Sequence, residues 1–285
     1  MYKTSTEPEM EYMLNYGLKF GIVLALLPMV GIAQDTDRQI GIKNIDLLQG
    51  WRTTSGTHMA AVRITLEDGW KTYWRAPSSN GIPPSFDWDG SKNLGSVEFH
   101  WPSPKIFVQY SISTIGYKGE FILPFEVTPV TAGEPITLNA QIDFGVCSEV
   151  CVPVTSHIEA ILDTGTTTHR STIETALAAR PRTAQESNVQ TVSCQIASIK
   201  DGVSIVARIA FSDKTPKVLQ SVIEYPGADI WVEQVALKST GNTIVAKAEL
   251  VSFSSEPFEL DQNAMRLTLI SKDQSIEING CSNPS

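Results

Sequence analysis

Cysteine, histidine and positive charge are all scarce in this sequence: four cysteines, four histidines, and 22 Lys and Arg against 31 Asp and Glu in 285 residues. The resulting charge of −9, with no Lys/Arg cluster to override it, repels a phosphate backbone and argues against nucleic acid as a partner. Long apolar runs are also missing. The most apolar stretch, Phe20 to Val30, is shorter than the roughly 20 residues that a bilayer span needs. There is no internal repeat and no low-complexity tract.

That one apolar stretch has informative flanks. In "MLNYGLKFGIVLALLPMVGIAQ" a single Lys19 precedes it and the small-residue pattern Gly31-Ile32-Ala33 comes after it. This is the layout of a secretory signal peptide over residues 1–33, cut before Gln34, with a membrane anchor as the alternative. Glu7, Glu9 and Glu11 give residues 1–12 the wrong charge for a leader, which points to Met13 as the natural start. The mature chain is therefore expected to be exported, soluble and periplasmic, without stable membrane insertion once the leader is removed. All four cysteines, Cys147, Cys151, Cys194 and Cys281, lie in that exported part, where disulfides form and persist.

Beyond the leader, the chain alternates with period two. Ala60, Val62, Ile64 and Leu66 share one face of "AAVRITL". In "PITLNAQIDF", Ile136, Leu138, Ala140, Ile142 and Phe144 oppose Thr137, Asn139, Gln141 and Asp143. Such runs are strands with one buried face. Turn signals such as "EDG", "DWDG" and "TAGEP" separate them at the spacing of a sandwich or barrel. Residues 164–190 turn polar, with a short helical piece from about Thr172 to Ala179 stopped by Pro181, and read as a linker. Alternation resumes in residues 191–285, enough for a second small β-sandwich. The fold class is all-β, in two domains: 34–163 and 191–285.

The cysteines sort into two pairs. Cys194 and Cys281 stand near the two ends of the second domain, and joining them would close a long loop, worth about 4–5 kcal/mol in the chain-entropy model. That is a structural disulfide. Cys147 and Cys151 fall between two strands in "DFGVCSEVCVPV", near a hairpin tip, where their Cα atoms can come within disulfide reach. So tight a loop is worth only about 2 kcal/mol, which makes a bridge there easier to reopen. The residues leave three readings of this pair: a structural bridge, a redox couple, or part of a metal site. A metal would need further ligands. His157 shares a solvent-facing row with Thr155 and Glu159, and His58, His100 and His169 are scattered, so no metal or cofactor is assigned. Glu149, between the thiols, and Asp143 are candidates for proton handling. Trp70, Tyr73, Trp74, Trp88 and Trp101 are expected to pack in the core and at the sandwich edge.

Three motifs in order carry a resemblance. Trp-x-x-Tyr-Trp-x-x-Pro occurs in "GWKTYWRAPSSNGIPPSFDW" (Gly69–Trp88). Gly-Tyr-x-Gly-x-x-x-Leu-Pro occurs in "STIGYKGEFILPFEV" (Ser113–Val127), and Cys-x-x-x-Cys-x-Pro in "FGVCSEVCVPV". Together, over about residues 40–163, they resemble the N-terminal periplasmic domain of the DsbD/ScsB family of thiol:disulfide interchange proteins. The resemblance implies an immunoglobulin-like sandwich and a reversible Cys147–Cys151 disulfide. Electrons would arrive from a membrane-embedded donor of the DsbD/CcdA type and leave to oxidised periplasmic thiol proteins. It also implies that Cys151 attacks and Cys147 resolves. A cap loop between Pro102 and Gly116 would shield the pair through Phe107, or alternatively Tyr110. Full-length members continue into a membrane domain, and many end in a thioredoxin-like domain; this sequence carries neither, so its donor is expected to be another protein. The cysteine spacing is also shorter than in the best-known member. The alternative function is a non-enzymatic periplasmic binding module, with copper as the candidate cargo and the pair as a structural bridge.

Overall fold

Alternating apolar residues need a second layer to face, and both halves of the chain supply one. The computed structural model describes residues 40–76, 81–109, 111–165, 167–226, 230–253 and 259–281. The expected leader, residues 1–33, lies outside them, as does Tyr110. Among the described residues no helix is long and apolar enough to cross a membrane.

The first sandwich contains β1 (Ile42–Arg52), β2 (His58–Leu66), β3 (Lys71–Tyr73), β4 (Ser85–Asp87), β5 (Leu94–Phe99), β6 (Lys105–Gln109), β7 (Ile112–Lys118), β8 (Glu120–Pro129), β9 (Ile136–Cys147) and β10 (Cys151–Leu162). One sheet has the order β1-β2-β8-β5 and the other β10-β9-β3-β7-β6, with β4 also on β9. Pairing is antiparallel throughout. The even-numbered residues of β9 from Ile136 to Val146 face Ala60, Val62, Ile64, Leu66, Phe125 and Val127 across the core, as period-two alternation requires. The odd-numbered residues of β9, including Asp143 and Cys147, therefore point away from that core.

The polar segment after β10 is packed against the first sandwich. Its helix α1 (Arg170–Ala178) buries Ile173 against Leu48, Trp51, Met59 and Ala61. The helix thereby covers the outer face of the β1-β2-β8 sheet, and Arg170 stacks 4.2 Å over the Trp51 ring.

The second sandwich is built from β11 (Arg182–Thr183), β12 (Val189–Ile199), β13 (Gly202–Phe211), β14 (Val218–Glu224), β15 (Ile230–Thr240), β16 (Thr243–Ser252), β17 (Arg266–Ser271) and β18 (Ser275–Asn279). Its sheets have the orders β11-β18-β17-β14 and β12-β13-β16-β15. Cys194 on β12 is bonded to Cys281 just beyond β18, with Cα atoms 5.7 Å apart, inside the core that the two sheets share.

The two sandwiches belong to one compact unit and share apolar packing. Val222 and Ile270 of the second join Trp74, Trp101, Ile115, Tyr117 and Leu123 of the first in a single buried cluster. Beside it Arg75 makes a two-pronged ion pair with Glu224, at 2.9 Å on each arm, and a third bond of 2.7 Å to Glu277. Arg75 stands two residues beyond Tyr73, so the second sandwich anchors the chain directly after β3. Tyr117 is structural: it stacks on Phe121 and donates to the Pro102 carbonyl at 2.8 Å.

Candidate functional site

The site grows from the end of the β9–β10 hairpin. The register runs without slip from Leu162↔Ile136 to Cys151↔Cys147, so both cysteines occupy its last rung and their side chains share a face. They are bonded to each other, with Cα atoms 4.1 Å apart. Their exposure differs. Cys147 is 1% exposed, whereas Cys151 stands at the surface beside exposed Glu149 and Val150.

Cys147 lies on the outer face of its sheet and is nevertheless buried, so other parts of the chain must cover it. The cover is β3, which pairs Lys71 with Cys147 and Thr72 with Val146. Tyr73 then falls beside Gly145, and its hydroxyl lies 2.9 Å from the sulfur of Cys147 and 3.1 Å from that of Cys151. Gly145 leaves room for this ring: a Cβ there would stand 3.1 Å from the Tyr73 ring and 2.8 Å from the Cβ of Ile82. Thr72, on the opposite face, donates to the Gly145 carbonyl at 2.8 Å and fixes the two strands at this point. Burial raises the Tyr73 pKa, so at neutral pH the phenol keeps its proton and donates to sulfur.

The β6–β7 hairpin closes on Lys71 from the other side. Gln109 pairs with Ile112 at its tip, six residues along β7 from Lys118, and Lys118 is the partner of Lys71. A flat hairpin would carry Gln109 about 20 Å from that rung. Instead the Gln109 side-chain oxygen accepts from Lys71 Nζ at 3.2 Å, and the Lys118 ammonium lies 4.7 Å over the Phe107 ring. The tip is therefore curled back over the face that carries the cysteines. Val108 and Ile112 remain 73% and 51% exposed on this hairpin.

Some residues singled out from sequence converge here and others do not. Phe107 sits on the β6–β7 hairpin, under Lys118. Glu149 is in the turn between the thiols and faces solvent. Asp143 is four residues back along β9, about 13 Å by strand rise, and its carboxylate accepts from Gln141 and Thr155. Those bonds, the one from Thr155 foremost, hold its pKa below the ordinary carboxylate value. Among the described residues no three His, Cys, Asp or Glu side chains gather as metal ligands. Trp74 and Trp101 are buried as expected. Tyr73, which the sequence suggests as core packing, stands instead beside the two sulfurs. The signal for it is adjacency: along a strand, neighbours point to opposite faces, so Tyr73 and Trp74 cannot both enter the core.

Residues 46–163 match the family model described as "Thiol:disulfide interchange protein DsbD, N-terminal". Among solved structures, the N-terminal periplasmic domain of ScsB from Proteus mirabilis is similar at 21% identity and a TM-score of 0.59. The alignment covers 82% of this chain and 91% of that one, and at this identity the likeness concerns the fold. No curated protein matches the chain.

Proposed function

Because residues 46–163 are a domain of the DsbD N-terminal family of thiol:disulfide interchange proteins, we propose that this chain is an exported, periplasmic electron carrier working through a reversible Cys147–Cys151 disulfide. The observation that carries this reading is a phenol donor set between the two sulfurs of a bonded pair, one cysteine buried and the other at the surface. In the reduced protein the Cys151 thiolate attacks a sulfur of an oxidised client. The client disulfide breaks, its leaving sulfur takes a proton, and a mixed disulfide forms. Cys147, as thiolate, then attacks Cys151, closing the intramolecular bond and releasing the second client thiol. Two electrons and two protons pass to the client, and a membrane-embedded dithiol donor of the DsbD/CcdA type restores the pair.

The other groups have supporting roles in this reading. Tyr73 donates to whichever sulfur carries negative charge. Glu149 is the solvent-facing carboxylate through which protons exchange, in preference to Asp143, whose oxygens are already engaged. The β6–β7 hairpin, with Phe107, shields the pair from small oxidants.

The deciding measurement is the reduction potential of the pair, by equilibration with glutathione or dithiothreitol. A value in the range of exchange proteins, roughly −120 to −270 mV, is expected; one below about −300 mV would mark an inert structural bridge and overturn the proposal. Tyr73→Phe removes the hydroxyl and keeps the ring. It is expected to slow reduction by dithiothreitol about tenfold, the size of a lost hydrogen bond to a charged group, with little change in melting temperature. An unchanged rate would show that the hydroxyl plays no part in the chemistry.

A further inference from the structure

The exchange cycle does not use Lys71, the buried cation of the site. Its backbone is the cross-strand partner of Cys147, Cys147 is that of Cys151, and Lys118 lies on the other side of Lys71. Cys151, Cys147, Lys71 and Lys118 therefore form one rung across β10, β9, β3 and β7, with side chains on the same outer face. Directly opposed residues have Cβ atoms about 4.5–5.5 Å apart. Lys71 is only 7% exposed, and its ammonium donates to the neutral Gln109 rather than to a carboxylate.

Burying an ammonium against a neutral amide is costly unless negative charge appears nearby during function. In the oxidised protein the rung carries none. On reduction a thiolate forms one position away, in surroundings where charges act strongly because water is excluded. We propose that Lys71 is a positioning residue that stabilises the thiolate of Cys147, both as the leaving group when the disulfide is reduced and as the nucleophile when it reforms.

The step balances. A donor thiolate attacks the Cys151 sulfur, a donor–Cys151 bond forms, and the Cys147–Cys151 bond breaks with its electron pair left on Cys147. The Lys71 charge and the Tyr73 hydroxyl meet that anion. The donor's second thiolate then attacks the donor sulfur of the mixed disulfide and frees Cys151, and solvent supplies the protons. The other groups facing Lys71 are consistent with this role. Lys118 and Lys105 are cations on the same face, while Tyr73 on its own strand is a neutral donor. Glu149 is exposed in the cysteine turn, and Asp143 is held by Thr155 and Gln141. Burial and the neighbouring Lys118 lower the Lys71 pKa, the behaviour of a cation lacking its counter-charge in the oxidised state.

The purely structural alternative is that the aliphatic stem of Lys71 only covers the disulfide. Lys71→Met keeps such a stem and removes the charge, and Lys71→Arg keeps the charge. In the full chain carrying Cys151→Ser, the lone Cys147 thiolate is titrated by its absorbance at 240 nm. In the otherwise native chain, reduction by dithiothreitol is timed at fixed pH. With methionine the Cys147 pKa is expected to rise by about one pH unit or more, and reduction to slow by about threefold to tenfold, because a more basic thiolate leaves more slowly. Arginine is expected to retain most of both values.

An unchanged Cys147 pKa, with or without a lower melting temperature, would assign Lys71 to packing and overturn the inference. Should the methionine variant not fold, Lys71→Gln is read in the same way. The inference rests on the pair being reversible, and the two fail differently: a pair that dithiothreitol cannot open in the native chain counts against the function, whereas a pKa indifferent to residue 71 counts against Lys71 alone.

Discussion

Cys147→Ser is expected to accumulate a mixed disulfide with its periplasmic partner, while Cys151→Ser accumulates none. Either substitution should reduce multiple-turnover exchange to background, since the cycle needs both sulfurs. The asymmetry comes from burial. Cys151 begins β10 at the surface, whereas Cys147 is 1% exposed, beside Tyr73 and the Lys71 strand. A thiol attacked by, or attacking, another protein has to be reachable. Labelling with a bulky maleimide in each single-cysteine variant gives the same contrast, with Cys151 reacting faster by at least about tenfold. Gel-shift analysis of periplasmic extracts, followed by mass spectrometry of the adduct, checks the first expectation and identifies the partner. If Cys151→Ser proves to be the variant that traps, the two roles are reversed. Both variants should remain folded, since a five-residue loop holds only about 2 kcal/mol of closure entropy.

Removing the second disulfide should do the opposite: leave exchange chemistry in place and cost stability. Cys194→Ala/Cys281→Ala opens a link between residues 87 apart in sequence, for which chain entropy gives a loss of about 4–5 kcal/mol. Alanine avoids burying a hydroxyl where both sulfurs now sit in the core. In a unit of this size each kcal/mol corresponds to roughly 2–4 °C, so a fall of about 10–15 °C in melting temperature is expected by calorimetry. Both sandwiches should melt together, because Val222 and Ile270 complete a cluster with Trp74 and Trp101, and Arg75 is tied to Glu224 and Glu277. Two separated transitions, with the first sandwich unmoved, would show that this interface does not couple them. The same burial predicts an order of reduction in native buffer: dithiothreitol opens Cys147–Cys151 first and leaves Cys194–Cys281 closed until unfolding.

Much of this architecture is legible in the sequence because strand alternation is a local property. The inward row Ile136, Leu138, Ala140, Ile142 and Phe144, and the row Ala60 to Leu66, meet across the core as the pattern requires. Three short motifs in order are enough to point to the family that the match over residues 46–163 bears out. Composition alone reads the polar segment at 164–190 as a linker. In the structure it docks through Ile173, with Leu177 packed beside it, a few apolar side chains in a largely polar run, which is too little for composition to register.

The sequence by itself determined an all-β chain of two sandwiches, the inward rows from Ala60 to Leu66 and from Ile136 to Phe144, and a hairpin with Cys147 and Cys151 near its tip. Those features come from period two and turn chemistry, both set within a few residues. Only the tertiary structure decided what surrounds the sulfurs. Cys147 occupies an outward position and is buried because β3 inserts between β9 and β7, bringing Lys71 and Tyr73 from more than 70 residues away, and because the β6–β7 hairpin folds over them. Strand order and hairpin curl depend on contacts between distant segments, which leave no local period to read. The same physics gives the two cysteines of one small loop different exposure to solvent.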